Sequence, residues 1–170
     1  MSSQVVNGVP VENVRTLVSA VQDDPANGAT TWSAITTWKG GFNCESKIRD
    51  HTIHMNEPDA LGGTDTAPNM VETVLAAYGS CLTVGYTMNA ALRGIDIRSL
   101  EVKLDGDLDL QGFLGLSDDV PAGFSNIMAI VHLDADATPE EIEDLHQHVL
   151  KTSPVGCILS RPLSIKTELA

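Results

Sequence analysis

Residues 68–93 have the sequence PNMVETVLAAYGSCLTVGYTMNAALR, and this stretch decides the fold. Apolar residues recur along it at intervals of three and four, the spacing of one helix face. Much of the remaining surface is small, which allows neighbours to pack closely on more than one side; the small residues are Ala76, Ala77, Gly79, Ser80 and Gly85. The pattern predicts a long, mostly buried central helix with Cys81 near its middle.

The chain before this helix has local signals for one helix and three strands. Apolar spacing behind Pro10 predicts a first helix that ends near Asp23. The alternating stretch 30–39, the Gly40-Gly41 turn and the stretch 42–49 predict a β-hairpin, followed by a third strand at 52–56. Residues 57–67, EPDALGGTDTA, predict a loop that leads to Pro68, in the first turn of the central helix.

The chain after the central helix alternates between long strands and short helices. Strands are predicted at 99–110 and 124–134, with a Gly- and Asp-rich loop between them. Thr138, Pro139 and Glu141 form a capping box that predicts a helix start, and Pro154 interrupts that helix or begins a short new turn. A last alternating strand is predicted at 162–169. We expect one domain over residues 1–170, with residues 1–28 as an N-terminal helical extension.

Composition excludes several classes of function. The net charge of -13, from 23 acidic and 10 basic residues, disfavours nucleic acid as a partner because its phosphates repel acidic surfaces. No apolar run approaches the roughly 20 residues of a membrane helix, and the N-terminus has no export signal. We therefore expect a cytoplasmic protein without a membrane partner.

The residues that could perform chemistry are few. Cys81 lies on the apolar face of the central helix and is either a small buried filler or a reactive thiol. Cys157 follows Ser153-Pro154, so it either lies near a helix start that stabilises a thiolate or fills space, and Cys44 is predicted to be structural. No His or Cys spacing predicts a metal site, and no glycine loop predicts a nucleotide, so we expect no metal and no cofactor.

The order of these elements and three motifs resemble the OsmC/Ohr family of osmotically inducible and organic hydroperoxide resistance proteins. The motifs are the EPxxLGG loop, the helix start that leads to Cys81, and SPVGCILSRPL near the C-terminus. The resemblance covers roughly residues 30–169. It implies an α+β, OsmC-like fold, with antiparallel sheets wrapped around a long central helix, in an intertwined homodimer.

The resemblance also implies a chemistry. A Cys in the central helix attacks the hydroperoxide as a thiolate, a second Cys condenses with the sulfenic acid, and a dithiol such as a lipoylated protein restores both. Cys81 matches the attacking Cys, Cys157 is the candidate second Cys, and Glu72 and Arg49 are the candidate activators.

Three departures from the family pattern are visible. Ser153 stands where the second Cys is usual, and Cys157 follows four residues later. Phe42 stands where the peroxidases carry their Arg, which leaves Arg49 as the closest substitute. Glu72 and Cys81, nine residues apart, point to opposite sides of an ideal helix and lie roughly 13 Å apart along it.

Two hypotheses of function follow. The first is a thiol-dependent peroxidase that reduces organic hydroperoxides in oxidative or osmotic stress defence. The second is a non-catalytic dimer that binds a small hydrophobic ligand at its interface, with Cys81 used only for packing. A hydrolase or isomerase is a third possibility that no residue spacing supports.

Overall fold

The computed structural model describes residues 4–169, and the fold is α+β, as the sequence predicts. The helices are α1 (Val11–Asp23), α2 (Met70–Arg93), α3 (Leu110–Phe113), α4 (Pro139–Thr152) and α5 (Pro154–Ser160). The strands are β1 (Val5–Val6), β2 (Val9–Pro10), β3 (Ile35–Trp38), β4 (Cys44–Ile48), β5 (His51–Met55), β6 (Ile97–Leu108) and β7 (Phe124–Ala135). All the strand pairs are antiparallel, in sheets ordered β1-β2, β3-β4-β5 and β6-β7.

Contacts along the chain group into two compact units. The first contains residues 4–11 and 75–169, and the second is Glu12–Val74.

Helix α2 confirms the predicted central helix. The Glu72 backbone N–H donates to Asn69 Oδ1, and the Asn69 N–H donates to Glu72 Oε2, both at 2.8 Å. This reciprocal pair is a capping box at the helix start. Pro68 therefore lies before the helix and not in its first turn. Its carbonyl accepts the Asn56 N–H at 3.2 Å. Gly94, with φ 73°, ends the helix in the left-handed conformation that glycine adopts most easily.

The core of the first unit lies where α2 meets α4 and the β6-β7 sheet. Its buried members are Leu82, Tyr86, Ala90, Ile95, Ala135, Leu145 and Val149. A Cβ placed on Gly85 would lie 3.0 Å from Val149 Cγ1, and one on Gly79 would lie 2.7 Å from Leu104 Cδ1. The predicted role of small residues is thus confirmed at these two glycines, because a larger side chain at either position would crowd Val149 of α4 or Leu104 of β6.

Other apolar side chains of α2 are exposed. Val84 is 64% exposed, and Val71, Val74 and Met88 are exposed as well. The prediction of a mostly buried helix is therefore wrong for the single chain, in which α4 and the β6-β7 sheet cover only part of the helix surface.

The N-terminal segment contains a small hairpin that the sequence analysis did not predict. Asn7 and Gly8 join β1 to β2 with φ values of 52° and 75°, the positive pair typical of an Asn-Gly hairpin turn. The Asn7 side chain donates to the Ile95 carbonyl at 2.8 Å and accepts the Ile97 N–H at 2.9 Å. Helix α1 then follows at the predicted position.

The second unit contains the predicted three strands, with small shifts of their ends. The hairpin turn at Gly40-Gly41 is confirmed, with φ values of 98° and 56°. Strand β3 is shorter than predicted, and the strand predicted to end at Arg49 ends at Ile48, because Arg49 and Asp50 form the turn to β5.

The C-terminal third holds two confirmations and one error, and the first confirmation is the strand predicted at 124–134, which is β7. The Thr138 capping box is confirmed, with both of its hydrogen bonds formed. The predicted strand at 162–169 is wrong: these residues form no regular element, and Ile165 is 81% exposed. A strand needs a neighbour for its backbone groups, and no described residue pairs with this segment. The loop before β7 also contains the unpredicted α3, capped by Asp109.

Among residues 4–169, no helix has the length and apolar character needed to cross a membrane.

Candidate functional site

Cys81 lies in the middle of α2 and is partly buried. Its Sγ lies 3.3 Å from the Oγ of Ser153, which is 5% exposed. The two residues are 72 positions apart in sequence, and the packing of α5 beside α2 brings them together. The thiol of the predicted nucleophile thus has a buried hydroxyl as its hydrogen-bond partner.

Ser153 is oriented by the start of α5. It is the N-cap residue of that helix, and its Oγ accepts the Gly156 backbone N–H at 3.1 Å. A serine hydroxyl has one hydrogen to donate and two lone pairs. Because the backbone amide occupies a lone pair, the O–H remains free to donate to Cys81 Sγ when the sulfur is a thiolate.

Cys157 is a free and exposed thiol. Its backbone N–H donates to the Ser153 carbonyl at 2.9 Å, so it lies one turn further along α5. Cys157 is the second thiol predicted from the family resemblance, whereas the side chain in contact with Cys81 is that of Ser153. All three cysteines are free in this structure.

A groove lies near this contact, with Tyr78 of α2 and Gly156 of α5 in its lining, although Cys81 and Ser153 themselves do not line it. A Cβ on Gly156 would lie 3.2 Å from Tyr78 Cε2, so α5 lies close against α2 one turn before Cys81. The groove has a volume of about 460 Å³ and a mixed lining: Tyr78, Phe124, Ser125, Asn126, Ile127, Gly156, Leu159 and Ser160. Neither α2 between Glu72 and Arg93 nor α5 carries a charged side chain, so these two helices offer an uncharged surface around the thiol.

The two predicted activators belong to the second unit. Arg49 is exposed in the β4-β5 turn, where its φ of 54° is unusual for a residue with a side chain. The Glu72 carboxylate accepts the Asn69 N–H in the capping box. Phe42 follows the Gly40-Gly41 turn and is 49% exposed. A Cβ on Gly62 would lie 3.5 Å from the Phe42 ring, so this aromatic packs beside the Gly-Gly loop.

Two buried polar residues before that loop were not identified from the sequence. Asn56 is 1% exposed; it donates to Asn43 Oδ1 at 2.6 Å and accepts the Thr64 N–H at 2.9 Å. Glu57 is 9% exposed, with one carboxylate oxygen 3.4 Å from Asn69 Nδ2. No sequence signal marks their burial, because a polar Asn-Glu pair before a proline is typical of a loop, and loop residues are normally solvated.

A second polar contact lies in the core of the first unit. The Tyr86 hydroxyl is hydrogen-bonded to His146 Nδ1, and the two rings stack with centroids 6.1 Å apart. Burial, with smaller contributions from Tyr78 and Glu143, raises the pKa of Tyr86 to about 12. The pair borders a groove of about 250 Å³ whose other walls are apolar, apart from Glu143. His146 was not identified from the sequence, in which no His spacing predicts a metal site.

Within the part of the chain described, no three His, Cys, Asp or Glu side chains are grouped so that they could hold a metal ion.

Comparison with known proteins gives a consistent result. The family model described as OsmC-like protein matches residues 63–168. No curated protein sequence matches the chain. The fold is similar to an OsmC-like protein from Mycoplasma pneumoniae, with a TM-score of 0.66 and 14% identity over 76% of this chain and 87% of that one.

Two further solved structures with a similar fold are organic hydroperoxide resistance proteins. The one from Legionella pneumophila has a TM-score of 0.58 and 18% identity, over 78% of this chain and 92% of that one. The one from Elizabethkingia anophelis, solved with thiocyanate bound, has a TM-score of 0.55 and 19% identity, over 77% of this chain and 90% of that one. At these identities the likeness is one of fold.

Proposed function

Because the chain belongs to the OsmC-like protein family, we propose that it is a thiol-dependent peroxidase that reduces organic hydroperoxides through Cys81. The observation that carries this proposal is the contact between Cys81 Sγ and the buried Ser153 hydroxyl. A hydroxyl at this distance can donate a hydrogen bond to the sulfur during the reaction, and only the thiolate is nucleophilic enough to attack a peroxide. The family and the names of two similar structures point to the same substrate class.

The substrate class fits the surroundings of the thiol. The groove that begins one turn from Cys81 has aromatic, aliphatic and uncharged polar residues in its lining, and α2 and α5 bring no charge to it. An alkyl or aryl hydroperoxide can bury its apolar group there, whereas a charged hydroperoxide would lose hydration without gaining a partner.

The experiment is hydroperoxide consumption by the purified protein with a thiol reductant. We expect turnover of cumene hydroperoxide by the wild type and loss of turnover in Cys81→Ser, with Cys44→Ser as a control that removes another thiol. Turnover that survives in Cys81→Ser would refute the proposal. The predicted roles of Arg49 and Glu72 as activators remain part of it, to be tested through their own variants.

We also propose that the working form is a homodimer. The exposed apolar side chains of α2 and the unpaired 162–169 segment are surfaces that a second copy could cover. Val84→Glu would place a charge on this face, and burying it unpaired costs several kcal/mol. We expect the variant to associate at least about tenfold more weakly in analytical ultracentrifugation; an unchanged dimer would exclude this face from the interface.

A second function is favoured by one observation. Ser153 occupies the place of the family's second Cys, and the groove beside it could hold a small hydrophobic ligand without any chemistry. In that case an apolar fluorescent probe would bind equally to the wild type and Cys81→Ser, and neither would consume hydroperoxide.

A further inference from the structure

Of the three thiols in the chain, Cys81 is the one in hydrogen-bond contact with the Ser153 hydroxyl. A hydroxyl cannot condense with a sulfenic acid to give a disulfide, so the group facing Cys81 can hydrogen-bond the oxidised sulfur but cannot resolve it. The nearest thiol in sequence to Ser153 is Cys157, which is exposed.

Moving Cys157 onto Cys81 would disturb the start of α5. A disulfide requires sulfurs about 2.05 Å apart. Ser153 now occupies the space next to Cys81 Sγ, and two hydrogen bonds hold this turn: Gly156 N–H to Ser153 Oγ at 3.1 Å and Cys157 N–H to the Ser153 carbonyl at 2.9 Å. Displacing Ser153 would break the first bond and remove the cap of the helix.

We propose that Cys81 turns over as a single thiol, with Ser153 as the hydrogen-bond donor to the reacting sulfur and an external small monothiol as the reductant. This inference rests on the proposed peroxidase function. It replaces the dithiol reductant and the resolving role of Cys157 that the family resemblance implies.

The cycle balances in three steps. The Cys81 thiolate attacks the terminal peroxide oxygen; the S–O bond forms, the O–O bond breaks, and the alkoxide leaves as an alcohol after taking a proton. A monothiol thiolate attacks the sulfenic sulfur, an S–S bond forms, and hydroxide leaves as water. A second monothiol attacks the external sulfur of this mixed disulfide, which releases a symmetric disulfide and the Cys81 thiolate.

The access that this cycle needs is present. Cys81 is only partly buried, and the groove lined by Tyr78 and Gly156 begins one turn away from it. Because Cys81 is not fully buried, the cycle assigns its reduction to a small monothiol, which needs less exposed surface than a protein dithiol.

The first test is product mapping on the full chain. The wild type is treated with one equivalent of cumene hydroperoxide in the presence of dimedone, and its peptides are analysed by mass spectrometry. We expect a dimedone adduct on Cys81 and no peptide linked through Cys81 and Cys157, and the same products in Cys157→Ser. A Cys81–Cys157 linked peptide, or an adduct that grows only after Cys157→Ser, would overturn the inference.

The second test places a resolving thiol where the structure has the hydroxyl. Ser153→Cys puts a sulfur next to Cys81 with minimal change of shape, so we expect an intramolecular disulfide after hydroperoxide treatment. The introduced thiol would attack Cys81 in any mixed disulfide and expel the monothiol again. The ratio of turnover with 2-mercaptoethanol to turnover with dithiothreitol should therefore be at least about tenfold lower in the variant than in the wild type. A wild type that already shows this low ratio would overturn the inference.

The failure of the inference can be told from failure of the proposed function. If the wild type consumes hydroperoxide through a Cys81–Cys157 disulfide, the function stands and the single-thiol cycle falls. If the wild type neither consumes hydroperoxide nor gives a dimedone adduct, both fall.

Discussion

Substitution of Gly63 by alanine tests how the loop before α2 is built. A Cβ at Gly63 would lie 1.7 Å from the Glu57 carbonyl oxygen and 2.8 Å from Asn56 Oδ1. The loop would have to open by more than about 1 Å to restore normal contact, which is too far for hydrogen bonds near 3 Å to survive. The bonds at risk are Asp65 N–H to the Glu57 carbonyl at 3.1 Å and Thr64 N–H to Asn56 Oδ1 at 2.9 Å.

The expected cost follows from those bonds. Each contributes about 1 kcal/mol, and a buried acceptor left unpaired, here on Asn56, adds about 1–2 kcal/mol. A total of about 3–4 kcal/mol lowers the melting temperature by about 10 °C in a chain of this length. The assay is thermal unfolding followed by circular dichroism, with Gly123→Ala as the matched control because a Cβ there meets nothing within 4 Å. If Gly63→Ala melts within about 2 °C of the control, the proposed clash is refuted.

Two further predictions concern pH and helix capping. The pKa of Tyr86 is raised from 10.0 to about 12 in the folded chain, so its contribution to stability is complete below about pH 10 and is lost as the pH rises through about 12. We expect the free energy of urea unfolding to fall by about 2–3 kcal/mol over this window and the fall to be absent in Tyr86→Phe; an equal fall in both would assign it to other groups. Asn69→Ala should lower the stability by about 1 kcal/mol, whereas Glu72→Gln should keep it because Gln also completes a capping box. If Glu72→Gln melts normally but loses peroxidase kcat/KM, its charge serves the thiol; if kcat/KM is also kept, Glu72 acts as a cap alone.

The parts of the fold that were predictable depend on local signals. Helix α2 follows from apolar spacing, the α4 start from Thr138 and Glu141, and the β3-β4 hairpin from Gly40-Gly41. In each case the residues that stabilise the element lie within a few positions of one another. Short stretches of sequence are therefore sufficient to predict the conformation of these elements.

The parts that were missed depend on distant residues. The 162–169 stretch has strand alternation, but alternation does not supply a neighbouring strand, and the described chain contains none for it. Of the candidate site, the sequence and the family resemblance supplied Cys81 and drew attention to Ser153. The contact between them is set by the packing of α5 on α2, which no local pattern encodes. The Tyr86–His146 pair, 60 positions apart, was missed for the same reason.

The hydrogen bonds of Asn7 with Ile95 and Ile97 have a consequence for how the chain is made. They join the first residues to a strand about ninety positions later, and the whole second unit lies between them in sequence. On a ribosome, Glu12–Val74 is complete before the strand that receives Asn7 has been synthesised. We therefore expect the β3-β4-β5 sheet to form before the N-terminal hairpin docks. The entropic cost of closing a loop grows only with the logarithm of its length, so the length of this loop adds little to the free energy of docking.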